Sequence, residues 1–188
     1  MDFTPDVENC LITLRSGGLI LYPTDTIWGI GCDATDAAAV KKIYELKKRP
    51  ESKSLIVLLA DEKDLLRYVT QPDLQVLDYL RTTSKPTTVI YKDPVGLADN
   101  LAGADGTIAI RLVKDDFCRH LVKRLRKPIV STSANISGEP APASYSGITD
   151  AVKQGVDYIV QYRQDDESPK QASAVIQWVN GKITVLRN

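Results

Sequence analysis

Apolar positions along the chain recur with two periods, and their alternation predicts strands interleaved with helices. Residues 7–16 carry apolar groups at helical spacing, and Gly17-Gly18 stops that helix. The short apolar run 19–22 reads as a buried strand and leads into Pro23-Thr24-Asp25-Thr26, which is turn chemistry. Asp36 is placed to cap a helix running to about residue 48, with Val40, Ile43, Tyr44 and Leu46 toward the core and Pro50 ending it. A strand at 55–59 is followed by two expected helices, 61–69 and 72–82. Strands at 89–91 and 108–112 flank a glycine-rich loop, 95–106, and an amphipathic helix follows over 115–125. Residues 128–130 lead into another strand. The stretch 131–143, rich in Ser, Gly and Pro, reads as an ordered loop. Late strands are expected at 158–161, 174–179 and 183–186, the last two joined by the Asn180-Gly181 hairpin signal, with a polar, mobile loop at 165–171. The resulting picture is a single α/β domain over 1–188: an open twisted mixed sheet flanked by helices, mixed because the chain closes on a hairpin.

Composition narrows this picture by exclusion. The 188 residues hold 24 basic and 24 acidic side chains, so overall charge selects no partner. Locally, 41–49 carries Lys41, Lys42, Lys47, Lys48 and Arg49 against Glu45, and a second basic run covers 119–127; such runs bind phosphates or simply face solvent. The three cysteines are widely spaced, which argues against a disulfide framework and a zinc site, and His120 as sole histidine excludes a histidine-based triad. The acidic N-terminus is not a signal peptide, and no apolar run reaches membrane-spanning length. The expectation is a soluble cytoplasmic protein with no membrane partner.

Four polar segments follow or flank predicted strands, where open α/β sheets hold ligands. The turn at Thr24 offers hydroxyls, with Gly29 and Gly31 permitting close backbone approach. Lys47-x-Arg49 sits at a helix end, where the proline break can turn both cations toward one anion; equally, they can complement the helix dipole. Ser131-Thr-Ser133-Ala-Asn135-Ile-Ser-Gly138 packs small hydroxyls and an amide into one loop suited to ligand oxygens. Thr107-Ile-Ala-Ile-Arg111 ends a buried strand on a charge that needs either a structural acid or a ligand carboxylate. Neither a P-loop nor a Rossmann fingerprint occurs. These residues alone lead to an α/β domain with a phosphate- or carboxylate-binding pocket.

Taken in order, LYPTDTIWGIG, KKRPESKSLIVLL, GTIAIR and STSANISGEPAP resemble the YrdC/TsaC family of threonylcarbamoyl-AMP synthases over about residues 8–188. The resemblance implies the single-domain form, without the extra C-terminal domain of longer relatives. It implies synthesis of threonylcarbamoyl-adenylate from L-threonine, bicarbonate and ATP, with Mg2+ accompanying the ATP and no dedicated protein metal site. The product passes through downstream threonylcarbamoyl-transfer proteins to tRNA. It places Thr24, Arg111, Ser131 and Ser173 on threonine, and Lys47, Arg49, Thr107, Ser133, Asn135 and Arg187 on ATP, with Lys47 and Arg49 as the catalytic clamps. The chain departs from the family's Trp-Pro-Gly-Pro-x-Thr at 83–88, where it reads Thr-Ser-Lys-Pro-Thr-Thr, and Ala174 replaces a threonine after Ser173. A rival class, in which the basic runs hold tRNA or double-stranded RNA without catalysis, predicts steep salt dependence. A carbamoyl-transfer relative of the hydrogenase-maturation type is a third.

Overall fold

The computed structural model describes residues 2–53, 55–168 and 170–188. The strands are β1 (Ile20–Tyr22), β2 (Gly29–Gly31), β3 (Ile56–Leu59), β4 (Thr87–Lys92), β5 (Thr107–Leu112), β6 (Ile129–Ser133), β7 (Tyr158–Ile159), β8 (Ala174–Val179) and β9 (Lys182–Arg187). They form one open twisted sheet in the order β7-β1-β2-β6-β3-β5-β4-β8-β9. Three parallel pairs (β1–β7, β3–β5, β4–β8) stand among five antiparallel ones, so the sheet is mixed, as expected. Helices α1 (Thr4–Arg15), α2 (Ala37–Lys47), α3 (Leu65–Tyr68), α4 (Gln75–Thr82), α5 (Asp116–Leu125) and α6 (Asp150–Gln154) complete the fold.

Helix α1 buries Val7, Cys10, Leu11 and Leu14, one stripe at helical spacing, and packs on α5, which buries Phe117, Leu121 and Leu125. Both α2 and α5 start on aspartate caps: Asp36 accepts from the amides of Ala38 and Ala39, and Asp115 from that of Cys118. Helix α2 ends where Lys48 turns left-handed (φ 50°). Its last turn buries Tyr44 and Lys47, while Leu46 packs against the core half-buried.

Several expected boundaries are corrected. The expected helix over 61–69 is a 3-10 turn (Glu62–Asp64) followed by the four-residue α3. Helix α4 starts three residues late because Asp73 accepts the Gln75 amide in a local turn. The strand expected over 158–161 stops at Ile159, since the amides of Gln161 and Tyr162 both donate to the buried Asp6 carboxylate, 2.9 Å each, rather than to a neighbouring strand. Residues 131–133 belong to β6, not to the loop assigned to them. Strand β2 and helix α6 were not anticipated: a Gly-Ile-Gly triplet carries no β signal, and α6 is only five residues long. Packing requires the glycine at 31, because a Cβ there would lie 2.7 Å from both Tyr22 Cε1 and the Val130 carbonyl.

Candidate functional site

The sheet register brings the polar segments onto one face. Ser131 of β6 pairs with Ile56 of β3, Ile56 with Ala109 of β5, and Ala109 with Ile90 of β4. One step along, Arg111 pairs with Thr88, Thr88 with Val175 of β8, and Val175 with Arg187 of β9. Gly29 sits opposite Ser133. Side chains two apart on a strand share a face. Residues from seven strands therefore line one cavity of about 320 Å3, whose polar walls are Thr26, Arg49, Arg111, Ser131, Thr132, Ser133, Ser173 and Arg187. Among the described residues, three arginines and no carboxylate line it, so it presents net positive charge to whatever enters.

Each cation is held differently. Arg111 is 4% exposed; Nη1 donates to Thr26 Oγ1 at 3.1 Å, Nη2 lies 3.2 Å from Asp25 Oδ1, and Nε has no hydrogen-bond partner among the described residues. Arg187 donates from Nε and Nη2 to the Ser173 carbonyl, at 3.1 and 3.0 Å, which fixes the end of β9 to the cavity wall. Burial, and then the Arg111 charge, push its pKa down, the mark of two like charges facing one space. Arg49 Nε donates to the Lys53 carbonyl, and burial lowers its pKa as well.

Lys47 does not line the cavity. Its ammonium, 1% exposed, donates to the carbonyls of Ser133 and Asn135, 2.5 Å each, and the Lys47 carbonyl accepts from the Ser137 amide. The end of α2 and the loop after β6 are thus tied to each other. Burial, reinforced by the neighbouring Arg49 charge, lowers the Lys47 pKa to about 8. The Lys-x-Arg pair and the Ser-x-Asn segment do converge, with Lys47 beneath the loop and Arg49 in the cavity.

The other expected residues divide in the same way. Ser131 and Ser133 face the cavity, and Ser173, 2% exposed, shares a hydrogen bond with Thr88 Oγ1 at its wall. Asn135 stands outside the lining; its Nδ2 donates to the Ile136 and Glu139 carbonyls, and its buried Oδ1 has no partner among the described residues. Thr107 shares the face of Ala109 and Arg111 but lies beyond the cavity, its hydroxyl on Asp105. Thr24 is spent inside its turn, donating to the Ile27 carbonyl at 2.8 Å and accepting the Thr26 amide at 3.0 Å; Thr26, two residues on, is the cavity-lining hydroxyl. Sequence reasoning passed over Thr26 and Asp25, although both stand in the motif it singled out, because hydroxyl and carboxylate directions within a tight turn are not written in residue type.

A family model described as "Telomere recombination", for the Sua5/YciO/YrdC group, matches residues 13–188. The chain belongs to the Sua5/YciO/YrdC family. Among solved structures it is similar to P. abyssi Sua5 complexed with L-threonine (25% identity, TM-score 0.84), covering 96% of this chain and 53% of that one. The chain thus spans about half the length of that Sua5. E. coli YciO shares the fold at 22% identity and TM-score 0.79, with 98% and 89% of the two chains covered. T. kodakarensis HypF shares it at 20% and 0.81, with 100% of this chain lying on 24% of that one. The cationic cavity on the sheet face is this chain's candidate for ligand binding. Among the described residues, no group of three or more His, Cys, Asp or Glu side chains could hold a metal, and no helix is long and apolar enough to cross a membrane.

Proposed function

We propose that this Sua5/YciO/YrdC protein condenses L-threonine, bicarbonate and ATP into threonylcarbamoyl-adenylate, releasing pyrophosphate, for threonylcarbamoyl modification of tRNA. The observation that carries the reading is the acid-free cavity in which Arg49, Arg111 and Arg187 face serine and threonine hydroxyls. The threonine complex of P. abyssi Sua5 supports the choice of amino acid.

In this reading Arg111, whose fork suits a carboxylate, receives the threonine carboxylate, while Thr26, Ser131 and Ser173 supply hydroxyl partners around the amino acid. The threonine amine adds to carbon dioxide, or to bicarbonate with loss of water, and gives a carbamate. A carbamate oxygen attacks the α-phosphorus of ATP, the bond to the bridging oxygen breaks, and pyrophosphate leaves with the electron pair. Such a displacement needs alignment and charge neutralisation more than a protein nucleophile. The chain fits that demand. Its Cys118 thiol is pushed well above its ordinary pKa by burial, His120 is exposed on α5, and cations surround the cavity instead. Arg49 and Arg187 are placed for phosphate oxygens, and Lys47 with Asn135 holds the Ser133 loop against the nucleotide. Thr24 serves through its turn, and Thr107 through the strand entry. The cavity contributes no acid, so magnesium would be carried by the triphosphate rather than by a protein cage. Downstream transfer proteins and tRNA would consume the adenylate.

The test is to incubate the protein with ATP, magnesium, bicarbonate and each amino acid singly. Pyrophosphate release that depends on threonine, together with a new acyl-adenylate, is expected. Salt-sensitive RNA binding with no threonine-dependent release would overturn the enzymatic reading in favour of a binding module.

A further inference from the structure

Arg111 borders two cavities' worth of structure but opens into only one of them. Its guanidinium faces the cationic cavity, whereas its counter-ion Asp25 lines a separate cavity of about 690 Å3 at the carboxyl ends of β3 and β5. Asp25 Oδ1 is sealed from solvent and lies 3.2 Å from Nη2, yet it makes no aligned hydrogen bond, so the contact is one of charge. The carboxylate as a whole remains 17% exposed, on the side of the second cavity. A counter-ion inside the cationic cavity would compete with a ligand carboxylate for the same guanidinium. One placed behind it leaves the front open.

We infer that Asp25 is the positioning residue for Arg111, holding the guanidinium from behind so that its remaining N–H groups face an incoming carboxylate. The inference rests on the reading that this cavity takes an amino-acid carboxylate. Two of the three nitrogens of the planar fork are held, Nη1 by its hydrogen bond to Thr26 and Nη2 by the charge of Asp25. Without Asp25, Arg111 carries four rotatable bonds and feels the Arg187 charge across the cavity, which drives it away from the face that needs it. Two effects then oppose each other when the charge of Asp25 is removed. The cavity becomes more cationic, which tightens anion binding, and the fork loses its orientation, which loosens it. Positioning is the dominant effect.

The experiment is calorimetric titration of the full chain with L-threonine and, separately, with ATP. Asp25→Asn, which keeps the shape and loses the charge, is expected to raise the Kd for threonine at least tenfold while changing that for ATP less than about threefold. Asp25→Glu has the 690 Å3 cavity to accommodate its extra methylene and is expected to bring threonine binding back to within about threefold of wild type. Circular dichroism melts establish that each variant is folded, and the Glu variant decides the matter if the Asn variant is not. Unchanged or tighter threonine binding in Asp25→Asn would overturn the inference alone. Equal losses for threonine and ATP, unrelieved by Glu, would overturn it as a general structural defect. Wild-type protein that binds no threonine would overturn the underlying reading and the inference with it.

Discussion

Lys47 and Arg49 are two residues apart and both cationic, yet their surroundings give them different duties. Lys47 is enclosed and spends two of its three N–H donors on the Ser133 and Asn135 carbonyls; Arg49 lines the cavity. Replacing Lys47 with Met takes the Lys47 donor from the Asn135 carbonyl and leaves the Ser133 carbonyl with the Asn135 amide, and an unsatisfied buried acceptor costs about 1–3 kcal/mol. Relief from burying an ammonium offsets part of this. We therefore expect Lys47→Met to lower both thermal stability and turnover. Arg49→Ala should lower turnover by two orders of magnitude or more, as loss of a phosphate clamp does, with a much smaller fall in melting temperature. Equal stability losses in the two variants would refute the division.

The lowered Lys47 pKa adds a pH signature. A lysine whose folded pKa lies near 8, below its unfolded value of about 10.4, binds fewer protons when folded across that window. Stability from this group therefore rises as pH climbs from 8 toward 10, the reverse of a salt-bridged lysine. The charge that holds the Ser133 loop is lost over the same range. The KM for ATP should thus increase above about pH 8 in the wild type and be flat with pH, though higher throughout, in Lys47→Met. Initial-rate measurements from pH 7 to 9.5 check this, and a flat wild-type profile would contradict it.

At the scale of elements, β2 shows how little side chain a site strand can carry. Its Gly29 and Gly31 leave backbone close to β6, and an added methyl at 31 meets the ring of Tyr22 and the Val130 carbonyl at 2.7 Å, neither of which is a flexible tip. Gly31→Ala should destabilise by about 1–3 kcal/mol, as overpacking does, and shift the urea midpoint down. Gly29→Ala places its methyl 3.1 Å from Ser131 Oγ, a side chain that can yield. It should cost less stability and instead impair threonine use, read as a rise in KM. The same strand marks where sequence stops being legible. Strands β3, β5, β8 and the capped helices α2 and α5 are announced by apolar runs, aspartate caps and the Asn-Gly hairpin, because those signals are local. Strand β2 is made by its neighbours. Its three residues pair with β1 on one side and β6 on the other, and nothing in Gly-Ile-Gly alone demands extension. For the candidate site, motif order picked out segments that the sheet brings around one cavity, but the division of Thr24 from Thr26, and of Lys47 from Arg49, depends on side-chain direction set by tertiary contacts.

Across the whole molecule, the site is finished by its least buried strand. All six residues of β9 are exposed, including Ile183, Val185 and Leu186, so its removal uncovers little of the core; Ile176 of the adjoining β8 is 1% exposed and packs with the main cluster. Yet Arg187 at the end of β9 reaches back to Ser173 and lines the same cavity as Ser133 of β6, five strands away in sheet order. The buried core and this cavity cation therefore belong to different parts of the sheet. Deleting residues 180–188 should leave a cooperatively folding protein with a modestly lower melting temperature, because β8 keeps its pairing to β4. It should abolish threonine-dependent pyrophosphate release, because one of three cavity cations and the Ser173 anchor go with it. Arg187→Gln in the intact chain separates the two contributions: the hairpin persists, the charge is lost, and the expected result is near-wild-type melting with a KM for ATP raised at least tenfold. If the deletion melts without cooperativity, β9 is structural and this partition of the sheet is wrong; if Arg187→Gln leaves KM unchanged, the edge strand shapes the cavity without supplying its charge.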